Sequence, residues 1–202
     1  MITTILFDLG NVIVDVDHAI HCRRFSKICG HSVDEIWTFM LDELMEHLDA
    51  GRLPADEFHH RLEERFALGL PFDQFAKIFN EIFVLKLDTV ELLRELRILY
   101  RLGLVSNTNP MHWSHIKRQW AIHRMFQTSV VSFEVGAVKP EPHIYREAAR
   151  RFDVAPEQCI YFDDRQDLVD GARAVGMHGV QFTDAEGARQ AIIEITALEG
   201  EQ

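Results

Sequence analysis

The first apolar, β-branched run of this chain, residues 3–7 (TTILF), is followed by nothing comparable for about ninety residues, after which four such runs come in close succession. Those four, at 102–105, 129–133, 159–162 and 179–182, each read as a buried strand. Helix-compatible stretches separate them at 110–120, 142–152 and 169–175, and a last one runs from 184 to about 198. Alternating strands and helices specify a parallel sheet covered on both faces. A crossover between parallel strands needs only about a dozen residues, so the long gap holds an insertion. From 16 to 85 the pattern is helical throughout, with helices expected at 18–29, 33–48, 55–66 and 72–83. Breaks fall at Gly30, from Gly51 to Pro54, and from Gly69 to Pro71. Four helices of this size make a small bundle. Residues 87–99 then return the chain to the sheet as a further helix.

The polar residues of interest gather at strand ends. Asp8 follows ILF, Ser106 follows LGLV, Asp163 and Asp164 follow CIYF, and Lys139 comes shortly after the third strand. In an open parallel sheet the carboxyl ends share one edge, and ligands bind there near the switch in strand order. Taken singly, an Asp or Ser after a strand is often only a helix cap. Together, a carboxylate, a hydroxyl, an ammonium and an acidic pair suit transfer of an anionic group assisted by a cation.

Composition narrows the partners. With 47% hydrophobic and 26% charged residues the chain should fold by itself. A net charge of -11 argues against nucleic acid and anionic membranes, which attract basic proteins. No stretch approaches the ~18 apolar residues of a membrane span, and the start MITTILFDLG lacks the basic region of a signal peptide, so a cytoplasmic location is expected. Cys22, Cys29 and Cys159 lack CxxC spacing, and no disulfide is expected. The HxxH pairs His18/His21 and His112/His115 lack the companion ligands of a zinc site and read as helix-face histidines.

Four segments carry a family resemblance. FDLGNV at 7–12, LVSNTN at 104–109, GAVKPEPHIY at 136–145 and YFDDRQDLVDGA at 161–172 resemble, in order and spacing, the four motifs of the haloacid dehalogenase superfamily. The helical insertion sits where one subclass carries a helical cap. Within the superfamily, FDLGNVIVDVD is most similar to the bacterial α-D-glucose-1-phosphate phosphatase group. The resemblance implies a Rossmann-like, doubly wound parallel sheet core formed by residues 1–15 and 86–202, with residues 16–85 as an inserted helical-bundle cap. It also implies a phosphatase that hydrolyses a small phosphorylated metabolite, a sugar phosphate by analogy. Asp8 would be the nucleophile, transiently phosphorylated. Magnesium would be held by Asp8, the Gly10 carbonyl and Asp164, with Asp163 nearby. Lys139, the Ser106 hydroxyl and the Asn107 backbone N–H would bind the phosphoryl oxygens.

This sequence departs from the family pattern at two positions. Many of these phosphatases have an acid-base aspartate two residues after the nucleophile, where this chain has Gly10; Asp15 and Asp17 are the nearby carboxylates that could replace it. Leu168 stands where the fourth motif often has Asn or Asp, with Asp167 adjacent. These gaps motivate an alternative, a phosphate-binding protein with little turnover. A metal-free dehalogenase is disfavoured, because that branch resembles SSNxxD where this chain has the Asp163–Asp164 pair and Leu168.

Overall fold

A computed structural model describes residues 1–200. Strand β1 (Thr4–Phe7) is buried at every position, as a strand covered on both faces must be. A short strand β2 (Val14–Val16) leads into helix α1 (His18–Cys29), which Asp17 caps by accepting the Ala19 N–H at 2.9 Å. Helix α2 (Val33–Phe39) opens on a capping box between Ser32 and Glu35. It passes through a π-helical stretch, Met40–Met45, into the short α3 (Glu46–Asp49). Helices α4 (Ala55–Phe66) and α5 (Phe72–Asn80) complete the bundle, and β3 (Phe83–Leu85) brings the chain back. There follow α6 (Leu87–Leu96), β4 (Arg101–Ser106), α7 (Pro110–Trp120), β5 (Thr128–Val131), the four-residue α8 (Ser132–Val135) and α9 (Pro142–Phe152). The chain ends with β6 (Cys159–Asp163), α10 (Gln166–Ala174), β7 (His178–Gln181) and α11 (Ala185–Gly200).

The five long-range strands form one parallel sheet in the order β5-β4-β1-β6-β7. Strand order reverses at β1, so the sheet is doubly wound as expected. Phe7 sits level with Leu104 on one side and Phe162 on the other. The next residues, Asp8, Val105 and Asp163, therefore emerge at one edge, and Ser106 is one step further. Alternate residues of β1 face opposite helical layers: Ile5 and Phe7 pack with Leu92, Trp113 and Ile192, whereas Leu6 packs with Ile144, Tyr145 and Phe152. The bundle has its own apolar core of Phe25, Ile36, Met40, Phe58, Phe75 and Phe79, with Trp37 and Phe39 partly buried against it. Stacked rings run through it, Phe25 on Phe75 at 5.2 Å and Phe75 on Phe79 at 5.8 Å. No helix among the described residues is long and apolar enough to cross a membrane.

Four local expectations are corrected. Strand 129–133 ends at Val131 because it is an edge strand, held by β4 alone, and the Ser132 hydroxyl bonds out of the sheet to Thr108. The helix expected over 72–83 stops at Asn80, since Phe83 pairs with Val16 in an antiparallel β2–β3 ribbon. At three residues per strand that ribbon is too short to show a period in the sequence. The single helix expected over 33–48 contains the π-helical stretch, and the final expected turn of 87–99 lies outside α6.

Candidate active site

Asp8 continues the β1 ladder by donating its N–H to the Phe162 carbonyl at 2.8 Å, which fixes its side chain at the sheet edge. Its Oδ1 lies 2.7 Å from Lys139 Nζ. The same ammonium donates to Asp163 Oδ2 at 2.6 Å and to the Tyr161 hydroxyl at 2.8 Å, so one cation is shared by two carboxylates and a phenol. Tyr161 in turn donates to Asp163 Oδ2, and Asp163 Oδ1 accepts the Arg165 N–H at 3.0 Å. All four side chains are buried. Asp164 lies beside them, and its Oδ2 accepts from Asn11 Nδ2 at 3.0 Å. Asn11 has a left-handed backbone, φ 54°, a conformation Asn tolerates better than most residues.

Ligand oxygens of Asp8, Asp163 and Asp164 lie within 4.8 Å of one another. Burial pushes the Asp8 carboxyl up to about 6; Lys139 opposes the rise and the charge of Asp163 adds to it. Burial raises Asp164 as well, with Asp163 adding and the Asn11 hydrogen bond opposing. Three carboxylates against one ammonium leave a formal charge of -2, which one divalent cation balances. An all-oxygen donor set of this kind fits magnesium rather than zinc.

The Asn107 side chain clasps the main chain of Lys139, accepting its N–H at 2.7 Å and donating to its carbonyl at 3.0 Å. This ties the end of β4 to the segment that delivers the ammonium. Ser106 is buried at the end of β4, its hydroxyl 3.4 Å from the Asn107 carbonyl. A cavity of about 280 Å³ opens over this edge, lined by Asp8, Gly10, Ser106, Asn107 and Lys139 on one side. His18, Met45 and Asp49 line it from the bundle.

Asp15 and Asp17 are placed elsewhere. Asp15 is exposed on β2, 3.8 Å from Lys86 Nζ, and Asp17 caps α1 and pairs with Arg23 at 3.2 Å; neither lines the cavity. Asp167 is exposed and paired with Arg165 at 2.6 Å, whereas Leu168 is buried and lines the cavity. The Tyr145 hydroxyl holds its carbonyl at 2.7 Å. Sequence reasoning missed Tyr161, although it stands two residues before Asp163 on one strand and so shares its face. It also missed Asn11, His18 and Asp49, the last two because nothing local marks which bundle residues turn toward the sheet.

A family model described as haloacid dehalogenase-like hydrolase matches residues 2–176. The chain belongs to the haloacid dehalogenase-like hydrolases. Among relatives of this hydrolase, a D-ribitol-5-phosphate phosphatase of Bacteroides thetaiotaomicron is 27% identical over 214 residues, covering 98% of both chains. A glyceraldehyde 3-phosphate phosphatase of Methanopyrus kandleri is 40% identical over 98 residues, 47% of this chain and 42% of that one. A Bacteroides thetaiotaomicron enzyme of the haloacid dehalogenase family, solved with magnesium and inorganic phosphate, superposes with a TM-score of 0.83 at 23% identity, covering 91% of this chain and 96% of that one. A Porphyromonas gingivalis hydrolase of the same kind gives 0.80 at 26% identity, covering 97% and 98%. The hydrolase thus shares the α/β fold of these structures along nearly its whole length.

Proposed function

We propose that the protein is a magnesium-dependent phosphomonoesterase that hydrolyses a small sugar phosphate through an aspartyl-phosphate on Asp8. The observation that carries this reading is the buried knot of Asp8, Lys139 and Asp163 with the half-buried Asp164 beside it, a nucleophile held beside one fixed cation with room in its charge balance for a second. The names of the relatives, phosphatases of ribitol 5-phosphate and glyceraldehyde 3-phosphate, support a compact polyol or sugar phosphate. A cavity of about 280 Å³ suits a leaving group of that size.

In this reading an Asp8 oxygen attacks phosphorus, the P–O bond to the leaving group breaks, and water later releases phosphate from Asp8. Lys139 carries positive charge toward the transferring group, and Asn107 holds it there through the backbone. Ser106 and the Asn107 N–H donate to the phosphoryl oxygens. Asp8, Asp164 and the Gly10 carbonyl, with Asp163 alongside, would hold magnesium, whose charge would let a carboxylate approach a phosphate dianion. Residues 16–85 serve as the cap that closes over the leaving group, with the β2–β3 ribbon as its attachment. The three-carboxylate cluster favours this chemistry over metal-free dehalogenation.

The test is a screen of phosphorylated metabolites with magnesium and with EDTA. Hydrolysis should vanish in chelator and return with magnesium, and Asp164→Ala should raise the magnesium requirement by roughly 10- to 100-fold. Full activity in EDTA would overturn the metal-dependent reading.

A further inference from the structure

The position that supplies proton transfer in many related phosphatases is Gly10 here, so the leaving alkoxide needs a proton from elsewhere. Among the described residues, the one carboxylate outside the Asp8, Asp163 and Asp164 cluster that lines the cavity is Asp49, on the bundle side where the leaving group would lie. Its position is built from several directions. The Ser132 hydroxyl donates to the Asp49 carbonyl. Gly51, two residues on, packs so closely that a Cβ would meet the Phe133 carbonyl oxygen at 2.4 Å, and its φ is +70°. The end of α3 is thus seated directly on α8.

The carboxyl itself is held by one oxygen. Asn109 accepts the His112 N–H through Oδ1 at 3.0 Å, which fixes its amide the right way round. Its Nδ2 then donates to Asp49 Oδ1 at 3.1 Å and to His112 Nδ1 at 3.0 Å. Asp49 Oδ2 takes no hydrogen bond among the described residues and is left for the cavity. Burial pushes the Asp49 carboxyl up to about 6, opposed only by the neutral Asn109 donor. The titratable groups around it do not supply a compensating charge. Burial keeps His112 and His18 neutral, Arg165 is paired with Asp167, and Lys139 is engaged by Asp8 and Asp163.

We infer that Asp49 is the general acid and base of this phosphatase, working from the bundle in place of the residue missing at Gly10. The inference rests on the reaction proposed above. As Asp8 attacks phosphorus, the P–O bond to the alcohol breaks and the departing oxygen takes the proton of Asp49, leaving a carboxylate. Attacking water then gives its proton to that carboxylate as the bond from phosphorus to Asp8 breaks. Phosphate leaves, and both residues return to their starting forms.

The experiment compares kcat/KM for an alkyl phosphate such as glycerol phosphate with that for p-nitrophenyl phosphate, whose leaving group needs no proton. Asp49→Asn should lose about 10²- to 10⁴-fold on the alkyl ester and less than about tenfold on the aryl ester. It should also show a burst of nitrophenol, because hydrolysis of the phosphorylated Asp8 lacks its base. The ratio of parent to variant on the alkyl ester should fall as pH rises through about 6, where the acid form of Asp49 is lost. Gly10→Asp has space, its Cβ 3.4 Å from Val16 Cγ2, and should restore alkyl turnover to Asp49→Asn. Equal losses on both esters, with no rescue by Gly10→Asp, would overturn the role of Asp49 while leaving Asp8 chemistry standing. Activity retained in Asp8→Asn would overturn the underlying reaction and this inference together.

Discussion

The cavity has a floor and a roof that are made in different ways. The floor is the edge of a parallel sheet, where Asp8, Ser106 and Asp163 are placed by register with neighbouring strands and Lys139 is locked by Asn107. The roof is a helical bundle with a separate apolar core, reaching the cavity through His18, Met45 and Asp49. Backbone pairing fixes the floor to within a residue, because a one-step slip would turn every side chain over. The roof is fixed by ring packing and by one seated turn at Gly51. Groups fixed by register keep their places whatever packs above them, whereas Asp49 on the roof keeps its place only while the bundle stays seated on α8 and Asn109.

The largest expected effect tests the floor. Asp8→Asn should lower kcat at least about 10³-fold with an unchanged circular dichroism spectrum, since the amide keeps the shape and cannot make the proposed attack on phosphorus. Retention of more than a few per cent would move the chemistry off the floor. Next is Lys139→Met, which leaves Asp163 and Asp8 buried without their common cation. A loss of about 3 to 5 kcal/mol in urea unfolding is expected, along with activity. Magnesium should recover part of that stability; no loss at all would mean the knot is not structurally coupled.

The roof answers to pH instead. His21 is fully buried, its pKa lowered to about 3 mainly by burial, so the unfolded chain binds a proton below about 6.5 that the folded chain refuses. Its contribution to stability is therefore complete above pH 6.5 and is lost as pH falls. Between pH 7 and 5 the parent should lose about 2 kcal/mol more than His21→Phe, a difference in which the carboxylates cancel. Equal losses would show that His21 is solvated. The smallest effect expected is for Asp17→Ala, about 1 kcal/mol of stability from the lost cap on α1. Its alkyl-to-aryl preference should match the parent; a steeper one would return Asp17 to the chemistry.

The same division explains what could be read in the sequence. The floor was legible because each strand is a short apolar run with a fixed end, and Asp8, Ser106, Lys139, Asp163 and Asp164 follow such runs directly or closely. Helical periodicity also located the bundle. It could not say that Asp49 faces the sheet, because that depends on a π-helical stretch shifting the helix phase and on a glycine meeting Phe133 from a distant segment. Asp15 and Asp17 attracted attention by nearness along the chain, yet one lies exposed on the ribbon and the other on a helix start. Proximity in sequence is a poor guide where a strand has just turned away from the site.

The ribbon has an evolutionary consequence. Val16 lies opposite Phe83 in an antiparallel pair, so the bundle enters and leaves the sheet domain through neighbouring points about 5 Å apart. A single uninterrupted length of coding sequence therefore encodes the whole roof, and recombination can exchange it without touching a strand of the parallel sheet. Asp8 lies upstream of that length and Lys139 downstream, whereas Asp49 lies within it, so an exchange of the roof would replace Asp49 and leave Asp8 and Lys139 in place.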